Sequence, residues 1–522
     1  MTKPVKITLI TVLTLLVIGI VGYFVANAMI TSKLENFLDN ELPETISMDY
    51  ESLDVNLWSG TVIIVKPKLV NRGTHSTKIN SELELDSLLV DGFGYWNYYA
   101  SDNISVESVQ LRSPKLLYNH NSAIPKKEYK YSALEQLKKE IKIGRFNIQN
   151  GELRINDIDT DSLILHTTKL TANVMGIKAN NTSVKQRIPF AYADYNLSFN
   201  DVLLKMGPYE DLRLASAVIT QDRADFNQLQ VYTKYSKAKL NQMISVERDH
   251  FDVTIPSLSL EGQEFGYEKD SVFFFRSPKV VFESPEMYIY RNKLVADDFS
   301  RKNLYSKSLR ELMFDLTLSE VQLKNASIVY AEKVNANMAA GEISFTKMNA
   351  DIKNISNTYA SPEKTSVAID AVFMSRTPLK VDWDFDVNNL NDAFVFKVAI
   401  GKLPAPDLNP FSQPNLKVKF EGELLKTYAT ISGDVNTSRV DMKVNYDAFK
   451  VIVLDKEGKN KNKVLSAIAN LFIKKDSEAS ADNFREGAKE GIERDHTKSV
   501  FNFLWLSVRS GLVSVLTGDG KK

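Results

Sequence analysis

Hydrophobic side chains recur at every second position through most of the chain. "SMDYESLDVNLWSGTVIIVKPKLVN" alternates through Leu53, Val55 and Leu57, turns near Ser59-Gly60 and resumes, and "KINSELELDSLLVDGF" alternates again. A period of two sends successive side chains to opposite faces, so these segments are predicted to be strands with one buried face. The pattern breaks in two places. "KKEYKYSALEQLKKEIK" (Lys126–Lys142) sets Leu134, Leu137 and Ile141 at spacings of three and four, and "SRKNLYSKSLRELMFDL" (Ser300–Leu316) is similar, so both are expected to be helices covering or separating β segments. Strands resume in "EKTSVAIDAVFMSRTPLKVDWDFDV" and again from Leu416, with Pro404, Pro406, Pro410 and Pro414 marking a turn-rich loop between them.

Within the strands one template recurs. "VESVQLRSPKLLY" (Val106–Tyr118), "IGRFNIQNGELRI" (Ile143–Ile155) and "LSEVQLKNASIVY" (Leu318–Tyr330) share the same apolar spacing, with Ser or Asn at the eighth position. The eighth and ninth residues, Ser113-Pro114, Asn150-Gly151 and Asn325-Ala326, suit a tight turn or a local bend. "KDSVFFFRSPKVVF" (Lys269–Phe282) repeats the Arg-Ser-Pro-Lys of Arg112–Lys115 but carries Asp270 at the first apolar position, so it is an imperfect copy aligned on Ser277-Pro278. The expectation is a repeated strand pair.

The two ends differ from the body. Lys3 and Lys6 precede the uncharged run Ile7–Ile30, long enough to cross a bilayer as a helix with a cytoplasmic N-terminus. Ala26-Asn27-Ala28 fits a signal-cleavage pattern and keeps that alternative open, although the apolar run exceeds a normal signal core. A helical neck, Thr31–Leu42, follows. Beyond about Asp455 the period becomes helical, with Val464, Ile468, Leu471 and Phe472 on one face. "DSEASADNFREGAKEGIERD" is polar and reads as a loop or solvated helix. In Ser499–Leu516 the stripe Phe501, Leu504, Trp505, Val508, Leu512 and Val515 predicts an amphipathic helix, lying on a membrane or docked on its own sheet. Arg509 and Gly511 argue against a second span. The organisation is therefore an anchor over 1–32, a β-repeat body over 33–454 and a helical tail over 455–522.

Composition narrows the function. Lys+Arg and Asp+Glu both total 65, so a neutral chain offers nucleic acid no general attraction. Cysteine is absent, which excludes a disulfide scaffold and thiolate chemistry. The 5 histidines, His75, His120, His166, His250 and His496, show no ligand spacing, and no metal site or cofactor motif is present. Glu-Arg-Asp-His occurs at both Glu247–His250 and Glu493–His496, but neighbours on a strand or helix do not converge on one point, so catalysis is not expected. Asn-x-Ser/Thr sequons such as Asn103, Asn196 and Asn325 follow from an Asn-rich composition.

The anchor, "YESLDVNLWSGTVIIVKPKLVN", the pairs "VQLRSPKLLY" and "VQLKNASIVY", and the closing strand with Tyr446, Phe449, Val451 and Val453 together resemble the AsmA-like family. These are inner-membrane proteins of Gram-negative bacteria, related to TamB and the wider repeating-β-groove proteins. The tail "LSAIANLFIKK…FREG…ERDHTKSVFNFLW" is similar to those of Bacteroidota members. The resemblance implies a mainly β fold: an elongated, strongly curved antiparallel sheet, groove-like, holding phospholipid or another membrane lipid on an apolar inner face. It implies a periplasmic body on an inner-membrane anchor, tails sliding without covalent chemistry, and a role in maintaining the outer membrane. At 522 residues the chain is short for a bridge across the periplasm. Groove candidates are Val109, Leu111, Val272, Phe274, Val280, Phe282, Val321 and Leu323. Membrane-interface candidates are Tyr95 and Trp96 in the aromatic loop Gly92–Asn103, and Phe501, Leu504, Trp505 and Val508. A non-enzymatic assembly factor for outer-membrane proteins, acting through sheet edges, is the alternative; an exported hydrolase is the weakest reading.

Overall fold

A computed structural model describes residues 3–40, 42, 44–72, 78–100, 103–121, 139–268, 272–455, 466 and 484–517. Its 26 strands form one mixed sheet, and the chain divides into two compact units.

Unit 1 comprises Met1–Met206 and Arg213–Gln221. It opens with α1 (Lys3–Asn40), which is long and apolar enough to span a membrane and runs without a break into the expected neck as far as Asn40. Six short strands follow: β1 (Ile46–Asp49), β2 (Ser52–Asn56), β3 (Thr61–Val65), β4 (Lys68–Asn71), β5 (Ser81–Glu84) and β6 (Ser87–Asp91). After α2 (Tyr95–Ala100) come β7 (Asn103–Arg112), β8 (Lys115–His120) and the long strands β9 (Glu140–Asp157), β10 (Leu163–Ala179) and β11 (Asp194–Lys205). β12 (Glu210–Thr220) has its first residues in unit 2.

Unit 2 comprises Gly207–Leu212 and Asp222–Lys522. It contains β13 (Arg223–Thr233), α3 (Lys237–Met243), β14 (Asp249–Glu261), β15 (Glu264–Glu268), β16 (Val272–Glu283) and β17 (Glu286–Asn292). Next are α4 (Tyr305–Arg310), β18 (Asp315–Lys333), β19 (Gly341–Ser356), β20 (Thr365–Phe373), β21 (Thr377–Phe385), β22 (Phe394–Ile400) and β23 (Leu403–Pro404). The unit closes with α5 (Asn409–Leu416), β24 (Val418–Gly433), β25 (Thr437–Val453), β26 (Arg485–Glu493) and α6 (Val500–Thr517). Its core lies between the strands β21–β26 and α6, around Ile431, Val440, Val444, Tyr446, Phe503 and Val515.

The template residues do not form turns between hairpin strands. Ser113, Asn150 and Asn325 all adopt left-handed backbone, φ 48°, 54° and 51°, and Asn150 and Asn325 lie inside the unbroken strands β9 and β18. Each kinks its strand in the manner of a bulge. Asn bears φ > 0 at lower cost than most residues, which explains its place in two copies.

The fourth equivalent position is Ser284 (φ 49°) before Pro285, so the Arg-Ser-Pro-Lys echo at Ser277 is displaced from the structural repeat. The hydrogen bonds establish this. Ser113 N–H donates to Gln149 O (2.8 Å) and Glu152 N–H to Pro114 O (2.7 Å); Ser284 N–H donates to Lys324 O (2.8 Å) and Ser327 N–H to Pro285 O (2.8 Å). Both units thus contain a kinked strand pair lying against a long kinked strand.

These pairings are parallel: β7 and β8 with β9, and β16 and β17 with β18. The sheet is therefore mixed, in place of the expected all-antiparallel one. Alternation specifies which face a residue takes, but not strand direction.

Three local expectations change. In Ser300–Leu316 only Tyr305–Arg310 is helical, because Asp315 onward is recruited to β18. Arg485–Glu493 is a strand paired with β25, where polarity suggests a loop or helix. The proline-rich loop contains α5, since Pro410 sits in a first turn that needs no N–H. The helix expected over Lys126–Lys142 lies outside the described residues up to Lys138, and Glu140–Lys142 open β9. The tail helix around Val464–Phe472 also lies outside them, apart from Ser466.

Candidate functional site

Alternation alone does not align the apolar side chains of neighbouring strands; register does, because directly opposed residues share a face. In unit 1 two apolar rows cross seven strands (β2, β3, β6, β7, β9, β10, β11). One runs Leu53, Ile64, Leu88, Leu111, Ile148, Ala172, Leu197. The other runs Val55, Val62, Val90, Val109, Phe146, Val174, Tyr195. Between them, on the opposite face, the row runs Asp54, Ile63, Leu89, Gln110, Asn147, Asn173, Asn196, so that face carries amides on β7, β9, β10 and β11 but apolar side chains on β3 and β6.

Most side chains in these rows are half-buried, screened by their neighbours along the sheet. α1 packs against β1 and β2 at one margin, and α2 against β7. Among the described residues no helix makes more than marginal contact with β6, β9, β10 or β11.

Unit 2 repeats the arrangement across ten strands (β13, β14, β16, β18, β19, β20, β21, β22, β24, β25). One row runs Phe226, Leu258, Phe282, Leu323, Ala350, Ile369, Val381, Val398, Ala429, Met442. Its companion runs Ala224, Leu260, Val280, Val321, Ile352, Val367, Trp383, Phe396, Ile431, Val440. Burial grades along the first row, from half-buried Phe226, Leu258 and Phe282 to buried Ala429 and Met442. In the companion, Ala224, Val280 and Val321 are buried, Ile352 is half-buried, and Ile431 and Val440 are fully buried where α6 packs on β24, β25 and β26.

Six of the eight groove candidates lie in these rows: Val109 and Leu111 in unit 1, and Val280, Phe282, Val321 and Leu323 in unit 2. Val272 and Phe274 lie outside them. Val272 is opposite Glu268; Phe274 is opposite Gly266 and Asp315, with the Arg276 guanidinium 4.6 Å from its ring centre.

The interface candidates divide. Leu504 is buried at 6% exposure and Val508 packs against the core, so the inner side of α6 docks on its own sheet. Phe501 and Trp505 face outward. The inner side of α6 includes Ser507, Gly511 and Ser514, whose small size lets the helix approach closely. The Ser507 hydroxyl lies 2.8 Å from that of Ser438, and Ser514 donates to Ala488 O (3.1 Å). Tyr95 is half-buried in edge contact with Phe93 (5.1 Å); Trp96 lies on α2, its side chain outside the described residues.

Beside them the β2–β3 turn sits on α1. Tyr23 Oη donates to Asn56 Oδ1 (3.2 Å), Leu57 N–H donates to Asn27 Oδ1 (3.1 Å), and Trp58 projects at 90% exposure. Trp58 is an aromatic that alternation does not single out. Its one signal in the sequence is a lone Trp at the tip of a predicted turn.

The two Glu-Arg-Asp-His tetrapeptides meet through one loop. Glu247 pairs with Lys293 (2.6 Å) and Lys498 (3.3 Å), and Lys498 also pairs with Asp297 (3.2 Å). Lys302 N–H donates to His496 O (2.8 Å), and the Arg494 guanidinium donates to Lys302 O (2.6 Å). Burial, then Arg301 and Arg494, hold the His496 imidazole below its ordinary pKa. This is a latch between chain segments. The histidines themselves do not converge, since His250 bonds the Tyr235 carbonyl (2.9 Å). Among the described residues no three His, Asp or Glu side chains group as a metal site.

No family model and no curated protein matches the chain.

Proposed function

We propose that this is a membrane-anchored, AsmA-like lipid-binding protein, whose body stands in the periplasm and carries phospholipid acyl chains along its apolar face. The observation that carries this reading is the pair of unbroken apolar rows over seven strands of unit 1, which among the described residues carry no helix over β6, β9, β10 and β11. A face of that kind needs a hydrocarbon occupant, because apolar surface in water costs about 25 cal/mol per Å². On β7, β9, β10 and β11 the opposite face carries Gln110, Asn147, Asn173 and Asn196, so a tail is favoured on the apolar side there. No polar side chain interrupts the rows, so a tail moves along them without breaking a hydrogen bond. The hydrogen bonds of Tyr23 and Asn27 to the β2–β3 turn hold the row ends at β2 against the anchor, where lipid is supplied.

The test exploits neighbouring residues on opposite faces. A photoreactive phenylalanine analogue is placed at Val109 or at Gln110 in the full chain, in living Gram-negative cells, and adducts are read by mass spectrometry. Lipid adducts at position 109 and none at 110 are expected. Equal labelling at both positions, or none at either, would sink the reading.

A further inference from the structure

We infer that the end of unit 2 formed by the Asp297–Phe314 segment, the β21–β22 loop and the start of α6 is a docking tip for a lipid bilayer surface. Phe299, Met313, Leu390 and Phe501 stand there at 76%, 97%, 80% and 62% exposure. They come from three separate stretches of chain, and the contacts of α4 bring them to one end. Arg310 donates to the Val387 (2.5 Å) and Asn389 (3.3 Å) carbonyls, fixing the loop that carries Leu390. The Tyr305 ring meets the Phe501 ring at 6.5 Å, and Asn303 bonds Glu311 (2.9 Å), holding the strap between Phe299 and Met313. Large apolar side chains so exposed on a braced platform mark an interaction site.

Two features select a bilayer as occupant. Four cations beneath the tip are paired within the chain, Lys302 with Asp298 (2.5 Å), Lys307 with Glu311 (3.5 Å), Arg310 with Asp392 (2.8 Å) and Lys498 with Asp297 (3.2 Å), while Arg301 is exposed and left for lipid headgroups. The apolar side chains can therefore enter hydrocarbon while the charges stay at headgroup level, with Tyr305 and Trp505 at the interface where aromatic residues favour it. The tip is also continuous with the apolar rows. Phe501 touches Tyr305, Tyr305 touches Trp383 (5.5 Å), and Trp383 is a member of the row. The Trp383 indole N–H is buried, the residue being 8% exposed, and has no hydrogen-bond partner among the described residues. A lipid entering past Tyr305 would offer that donor an ester or phosphate oxygen. The continuity with the rows rests on the lipid-carrying reading; the docking itself does not.

The chain has no cysteine, so single labels are clean. The full chain is held by its anchor in lipid nanodiscs, with an NBD fluorophore on Met313→Cys or, as control, on Asp370→Cys. Acceptor vesicles of phosphatidylethanolamine and phosphatidylglycerol containing nitroxide lipid are then added. Quenching of at least twofold at position 313 and none at 370 is expected. In a second variant, Phe299→Asp, Met313→Asp, Leu390→Asp and Phe501→Asp together should reduce vesicle capture at least tenfold, with protease resistance retained.

Absence of quenching at 313 overturns the tip. Absence of quenching accompanied by cysteine cross-links between two copies at Leu390→Cys overturns it in favour of self-association. Quenching at 313 without lipid adducts at 109 supports the tip while the carrying function falls.

Discussion

Gly487 on β26 faces the backbone of α6, and adding one carbon there should undock the helix. A Cβ at Gly487 would lie 2.5 Å from Val515 N and 2.9 Å from Ser514 C, both main-chain atoms that cannot rotate away. Gly487→Ala therefore forces β26 and α6 apart, an overpacking cost of about 1–3 kcal/mol. Gly511 sits in the same interface with a different outcome. Its Cβ would meet the Val440 methyls at 3.1 and 3.2 Å and Met442 Cβ at 3.3 Å, contacts relieved by shifts of a few tenths of an ångström. Gly511→Ala also gains about 1 kcal/mol of helix propensity, so its net effect should be near zero.

The assay is hydrogen exchange of the full chain in nanodiscs, comparing a peptide from α6 with one from β24. In Gly487→Ala the α6 amides should exchange about 5- to 150-fold faster, matching a local opening made easier by ~1–3 kcal/mol, while β24 is little changed. The same opening would uncover Ile431, Val440 and Met442, extending the apolar face. Unchanged α6 protection in Gly487→Ala, or equal loss in both variants, would refute the close-docking argument.

Asn325→Val should cost about 1–2 kcal/mol, because a β-branched residue is forced to φ 51° and the bond from Asn325 to Ser284 Oγ is lost; Asn325→Gly should cost less, and thermal proteolysis ranks the two. Arg310→Met strands the carboxylate of Asp392, whose side chain is 2% exposed with only Ser306 Oγ (2.9 Å) left among its described partners. A loss of ~3–5 kcal/mol is expected in the same assay, and Asp392→Asn on that background should recover part of it. His496 is held neutral in the fold by burial, Arg301 and Arg494, against the weaker pull of Asp495. Its folded pKa lies below its unfolded one, so the unfolded chain binds the extra proton first. The latch is therefore at full strength above about pH 6.5 and weakens as pH falls below that value. The protection factor of the Lys302 amide, taken relative to the intrinsic exchange rate at each pH, should fall between pH 7 and 5 in the native chain, and His496→Gln should flatten the fall.

Much of the site is legible in the alternation of the chain. Val109, Leu111, Val280, Phe282, Val321 and Leu323 are readable as one-face positions because side-chain direction on a strand is a local property with period two. Phe274 misleads for the same reason: it shares a strand with Phe282, but its cross-strand neighbours are Gly266 and Asp315. The apolar stripe on α6 places Leu504, Val508, Leu512 and Val515 on the core side but also includes Phe501 and Trp505, which face out, and omits Ser507, Gly511 and Ser514, which face the sheet. Hydrophobicity alone prefers the large side chains inside; a close helix–sheet approach prefers the small ones.

The sequence by itself determined an N-terminal helix long and apolar enough to span a membrane, a β body with one apolar face per strand, and a local bend at Asn150 and Asn325, because each depends on a few adjacent residues. Tertiary structure alone decided that β7 and β8 run parallel to β9, and β16 and β17 to β18. It decided that Ser284, and not Ser277, is the repeat of Ser113, and that Glu247 and Lys498 meet across 251 positions. Direction, register and long-range ion pairs are set by which distant segments bury each other best, and that competition among whole strands leaves no mark at the spacing of single residues.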